Sequence, residues 1–187
     1  TTTAFTSKNA SVSASGITSG AGQFTVSSSS GTAFLLFSNS DANLGASITG
    51  NDYLQFSVTV AGSNVLNLSD LSISFKTEDV AVSANLSLFA SLNNFATAPV
   101  SGGELGTITS SSTSYGSQAI SLTSPTFQNL TNSTVTLRIY GFDVDSADAT
   151  KYIRIDNFAL NGTVVPEPSS IAMGLGAFAF LGILRRR

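Results

Sequence analysis

The sequence predicts an all-β chain, a two-sheet antiparallel sandwich followed by a single C-terminal hydrophobic helix. Three observations predict it. Threonine, valine, isoleucine and phenylalanine suit pleated strands, and glycine, serine and asparagine suit turns. Several segments alternate apolar and polar residues with a period of two. An uncharged stretch of a different character follows the last of them. The 187 residues suffice for one domain with a core and a short appendage.

The elements follow in order. Residues 1–32 hold isolated apolar residues (Phe5, Val12, Ile17, Phe24, Val26) in a Ser/Thr/Gly background and read as short edge strands and loops. Ala33–Phe37 is a continuous apolar run, as in a buried sandwich strand. Tyr53–Val60 alternates, with Leu54, Phe56, Val58 and Val60 on one face. Ala61–Asn64 is a turn. Leu71–Thr77 and Val80–Leu88 alternate again, and the acidic turn Glu78-Asp79 between them reads as a hairpin. Weaker strands are expected over Glu104–Ile108 and Gln118–Leu122, and a strong one over Val135–Phe142.

In Tyr152–Leu160 the inward set shifts from Ile153 and Ile155 to Phe158 and Leu160. That one-residue slip predicts a bulge near Asp156-Asn157. Asn161-Gly162 is expected to close the domain with a turn. Eight to ten short strands at regular spacing suggest a jelly roll. No stretch before residue 168 keeps a 3.6-residue period.

Composition narrows function. Charged residues make up 10% of the chain, against about 25% in a typical soluble protein. Residues 1–165 hold five basic and ten acidic side chains, a poor match for nucleic acid. The chain has no cysteine, histidine or tryptophan. It therefore lacks disulfides, thiolate ligands, the commonest general base and the best platform for stacking a sugar ring; Tyr53, Tyr115, Tyr140 and Tyr152 remain. It opens on Thr1 rather than methionine, so a removed signal peptide and a fragment both stay open.

After Val165 the composition changes. Pro166-Glu167-Pro168 and two serines lead into Ile171–Leu184, fourteen uncharged residues closed by Arg185, Arg186 and Arg187. As a helix at ~1.5 Å per residue this piece is roughly 21 Å long, short against a hydrocarbon core of about 30 Å. A marginal span with a basic end suits a stop-transfer signal meant for removal, with the arginines cytoplasmic and the β domain outside. The prolines hold Val165 and Glu167 extended. The domains expected are the ectodomain over 1–163, a linker over 164–170 and the hydrophobic segment with its basic end over 171–187. The alternatives for the tail are an ordinary short C-terminal anchor and a buried core helix; Gly174, Gly176 and Gly182 weaken the latter.

Val165-Pro166-Glu167-Pro168, the apolar stretch and the terminal arginines together resemble the PEP-CTERM sorting domain of Gram-negative bacteria. The resemblance implies an exported protein, held briefly in the inner membrane and processed by an exosortase, a membrane cysteine protease-transpeptidase. It also implies a setting of exopolysaccharide synthesis. Its functional positions fall here on Pro166, Glu167, Pro168 and Arg185, Arg186 and Arg187.

Other constellations carry less. Asp143, Asp145 and Asp148 share a loop, with Asp156 a strand away. Such an oxygen-rich loop can bind calcium, or it is a solvated turn that protects a sheet edge. No other cofactor is expected. Glu78, Glu104 and the aspartates offer no clear pair for glycoside hydrolysis, and the many serines lack a histidine partner. The chain is therefore expected to be no enzyme. Arg138 and Arg154 stand on non-core faces, to bind acidic sugars or to pair with neighbouring aspartates. The triplets at Asn67, Asn85 and Asn129 fit the glycosylation pattern and are also frequent by chance in a chain this rich in serine and asparagine. The expectation is an exported surface or matrix protein, structural or interacting; the alternative is a lectin-like module for exopolysaccharide.

Overall fold

The computed structural model describes residues 9–20, 24–29, 32–38, 41–78, 83–143 and 152–166. In chain order the elements are β1 (Val12–Ala14), β2 (Thr18–Ser19), β3 (Phe24–Ser29), β4 (Thr32–Ser38), α1 (Leu44–Gly50), β5 (Tyr53–Val60), β6 (Asn64–Thr77), β7 (Ala84–Ser91), β8 (Gly106–Ser110), β9 (Gly116–Ser121), β10 (Thr134–Asp143) and β11 (Tyr152–Pro166). They form two antiparallel sheets. The first runs β1-β5-β10-β7-β8, with β2 also on β5; the second runs β3-β4-β11-β6-β9.

The pairing is nested. β4 takes β11, β5 takes β10, β6 takes β9 and β7 takes β8. The core lies between the sheets, because alternation turns one face of each strand inward. β5 buries Leu54, Phe56, Val58 and Val60, as its sequence predicts, and β10 beside it adds Val135, Leu137 and Ile139 to the same inner face. The second sheet contributes Leu71, Ile73, Phe75, Ile153 and Ile155.

The expected hairpin across Glu78-Asp79 is not formed. β6 belongs to the second sheet and β7 to the first, so the chain crosses between layers there. Alternation tells which face of a strand is inward and says nothing of which strand lies beside it.

The slip near Asp156 is a bulge: Ile155 faces Phe75 and Asn157 faces Ser74, so β11 carries one extra residue. A second bulge follows on β6, where Asn161 faces Asp70 but Gly162 faces Leu68. It restores the original register, and it moves the inward set of β6 from Leu68 to Leu71. The expected closing turn at Asn161-Gly162 is thus a bulge inside a continuing strand. β11 runs on through Val164 and Val165 to Pro166, past residue 163 and into the segment that sequence assigns to the linker.

One helix has no counterpart in the sequence pattern. Asn43 caps α1, its side chain accepting from the Ala46 N–H at 2.9 Å, and Asn51 ends it in the left-handed region at φ 60°. The Ser47 hydroxyl is buried and donates to the Gly141 carbonyl of β10 at 3.0 Å. Leu44 and Ile48 pack on Phe89 and Tyr140, making a small second core outside the first sheet. Among the described residues no helix is long and apolar enough to cross a membrane. The expected helix over 171–187 lies outside those residues.

Candidate functional site

The end of β11 is where the sequence motif meets the fold. Val164, Val165 and Pro166 stand opposite Leu66, Val65 and Asn64 of β6. Among the described residues, those from Asn157 onward pair with β6 alone, because the pairing with β4 stops at Ile155. The pairing of β6 with β9 ends at Asp70, so over Gly162–Pro166 the two strands continue as a two-stranded ribbon. Proline has no N–H to continue a ladder, so Pro166 is a natural last residue. The Asn129 N–H donates to the Asn67 side chain at 2.8 Å, and Leu66 and Leu130 exchange backbone hydrogen bonds, fastening the ribbon to the loop before β10.

A second feature lies on the outer face of the first sheet. Arg138 sits opposite Gln55 on β5, and its Nε donates to the Gln55 side-chain oxygen at 2.7 Å. The guanidinium lies 4.1 Å from the Tyr53 ring centre and 4.3 Å from that of Phe95. Phe95 arrives from the loop after β7, held by its N–H to the Ser91 hydroxyl at 2.9 Å. Asn94 and Phe95 both have φ 55°, which is uncommon for a side chain as bulky as phenylalanine. Burial pushes the Tyr140 hydroxyl above its ordinary pKa, with Arg138 pulling the other way. Hydroxyl pairs continue the face: Ser57 with Thr136 at 3.1 Å and Thr59 with Thr134 at 2.8 Å.

A family model of the PEP-CTERM protein-sorting motif matches residues 164–187. The chain carries a PEP-CTERM sorting motif. Its first residues are therefore Val164, Val165 and Pro166, which are also the last of β11. Among curated proteins none matches this chain. Among solved structures, a mutant of xylanase 10C from Cellvibrio japonicus, in complex with xylopentaose, is similar over 78% of this chain and 27% of that one. It has 17% identity and a TM-score of 0.38.

Of the residues of the sorting motif, Pro166 is placed at the strand end, and Glu167, Pro168 and Arg185 to Arg187 lie outside the described residues. Of the calcium candidates, Asp143 closes β10, and Asp145 and Asp148 also lie outside them. No group of three or more carboxylates suited to a metal occurs among the described residues.

The carboxylates weighed for hydrolysis have other work. Glu78 forms an ion pair with Arg154, and Glu104 accepts from the Gly102 N–H at 2.8 Å. Arg154 thus pairs with a glutamate, and Arg138 departs from the expected aspartate pairing in favour of two aromatic rings and an amide. Tyr53 is two residues from Gln55, on the same strand face, so the ring and the amide reach Arg138 together.

The asparagine triplets serve structure. Asn85 is buried and accepts from the Thr109 hydroxyl at 2.7 Å. Asn67 and Asn129 bond one another as above. Sequence reading missed one further carboxyl pair. Asp41 pairs as an isolated bridge with Phe142 and lies beside Asp52 near Gly50. Burial, then the hydrogen bond and charge of Asp52, push the Asp41 pKa up to about 6.

Proposed function

We propose that this chain is an exported surface or matrix protein whose tail is a temporary address. The tail is held in the inner membrane, its arginines on the cytoplasmic side, until an exosortase-type protease removes it. What is released or transferred is the β domain, a structural or interaction module of jelly-roll type without catalytic activity. The observation that carries this reading is the sorting motif over 164–187, whose first three residues are the last of a folded β strand. The nested pairing of β4 to β11 supports the jelly-roll assignment. Replacing Pro166, Glu167 and Pro168 together by alanine is expected to leave an unprocessed, membrane-associated precursor; normal release of that variant refutes the reading.

A second reading, binding of exopolysaccharide, is favoured by the outer face of the first sheet. There Tyr53, Phe95 and Arg138 offer ring faces and a cation beside the hydroxyl ladder of Ser57, Thr59, Thr134 and Thr136. Retention on the host's own polysaccharide, lost on Phe95→Ala or Arg138→Ala, tests it. No retention on any matrix glycan removes it.

A further inference from the structure

The charges of the described residues are unevenly placed along the sandwich. Where β11 ends, the neighbouring backbone comes from Asn9–Val12, from the turn Val60–Asn64, and from Asn129–Thr134. Ala61 bonds back to Ser11, and Val60 to Ser133. None of these segments contains an ionisable side chain, and neither does Asn157–Pro166. Their exposed residues include Asn9, Ala61, Gly62, Ser63, Thr131, Asn132, Val165 and Pro166. Lys8, which adjoins Asn9, lies outside the described residues. At the opposite end stand Asp41, Asp52, Lys76, Glu78 and Arg154; Asp70, Arg138 and Asp156 lie between, and Glu104 precedes β8, at the edge of the first sheet away from β1 and β5. The two ends are roughly 43 Å apart along β6, at ~3.3 Å per strand residue.

The sequence sets how far the neutral end can stand from a membrane. Only Glu167, Pro168, Ser169 and Ser170 separate Pro166 from the apolar stretch starting at Ile171. Five Cα steps at ~3.3–3.6 Å reach about 17 Å at full extension. The headgroup layer takes about 5–7 Å of that. Pro166 therefore stands no more than about 12 Å above the headgroups, within about one and a half Debye lengths at physiological salt.

We infer that the neutral end of the sandwich is a docking surface that rests on the lipid headgroups of the membrane holding the uncut tail. The inference rests on the tail being membrane-held, as proposed above. Its physical basis is desolvation. A charged side chain brought against headgroups loses water that a hydroxyl or an amide replaces by hydrogen bonds to phosphate and glycerol oxygens. Val165, half exposed beside Pro166, adds apolar area where the chain enters the membrane. The ties of β6 to Asn129 and Leu130 hold this surface to the ribbon from which the tether departs. The acidic end then points away from an anionic leaflet.

The chain has no cysteine, so single labels are clean. Ser63→Cys and Thr131→Cys probe the neutral end, and Thr113→Cys, in the exposed loop between β8 and β9, probes the other. Each full-length variant, carrying an environment-sensitive fluorophore, is reconstituted into phosphatidylethanolamine–phosphatidylglycerol vesicles with nitroxide on the headgroups. The expected result is quenching and a blue shift at 63 and 131, neither at 113, and loss of both once the tail is cut. Chain that fails to float with the vesicles overturns the anchoring and this surface with it. Chain that floats, with labels at 63 and 131 as unquenched as at 113, overturns the surface alone. Burial of 63 and 131 only when the membrane protease is co-reconstituted also overturns it and assigns the surface to the protease.

Discussion

Pro166 stands opposite Asn64 as the last registered pair of the β6–β11 ribbon. The sorting motif therefore begins inside the sheet, and the fold limits where a protease can cut. A bond before Pro166 is reached only by peeling Val164 and Val165 off β6, away from the neighbours that fasten Leu66 and Asn67. The expected C-terminus of the released protein is at or beyond Pro166. Intact-mass measurement of the protein from culture medium checks this, and a product ending at Val165 or earlier contradicts it.

Gly162 occupies the second bulge, where a Cβ would run into the Asn67 carbonyl oxygen and crowd the Leu68 Cα at 3.2 Å. Both obstacles are backbone, so they yield only if the ribbon separates. Gly162→Ala is expected to destabilise the domain by about 1–3 kcal/mol, the usual range for an overpacked site. Denaturant unfolding of the tail-less domain reads it. A change within a few tenths of a kcal/mol would mean that the bulge is soft.

How far the fold is legible in the sequence depends on what each signal physically encodes. Alternation encodes burial of one face, so Tyr53–Val60 coincides with β5 and the slip at Asp156 with a bulge. Alternation does not encode partners, so the Glu78-Asp79 connection looks like a hairpin in the sequence although β6 and β7 lie in different sheets. The helix Leu44–Gly50 spans seven residues, two turns, too few to display a period. Asn43 and Asn51 were its only local marks. At the candidate sites, the sorting motif is visible because it is a linear pattern of prolines and charges. The stack on Arg138 is not, because Phe95 reaches it from a loop with a positive φ that composition does not reveal.

The Asp41–Asp52 pair makes the stability of the acidic end depend on pH. The folded-state pKa of Asp41 is about 6, against an ordinary 3.8. A carboxyl whose pKa rises on folding favours the folded state while protonated, and that contribution disappears as pH climbs through the folded value. The domain is therefore expected to gain stability at this pair as pH falls from 7 towards 4. Asp52→Asn removes the neighbouring charge and should raise the melting temperature at pH 7 while flattening the slope between pH 4 and 7. Thermal unfolding of both forms across that range decides it. An unchanged slope in the variant would show that Asp52 does not raise the Asp41 pKa.

Arg138 lies between Tyr53 and Phe95 and is tied by Nε to Gln55. A flat guanidinium can stack on both rings and donate in its own plane at once; an ammonium cannot. Arg138→Lys keeps the charge and loses the geometry, and is expected to cost about 1–2 kcal/mol. Packing alone predicts a smaller loss, since lysine retains most of the aliphatic stem. A double-mutant cycle of Arg138→Lys with Phe95→Leu separates the two accounts. Coupling of about 0.5–1 kcal/mol is expected if the ring and the cation attract. Additive effects would instead make Phe95 a cover over the sheet, and its positive φ a consequence of the Ser91 hydrogen bond alone.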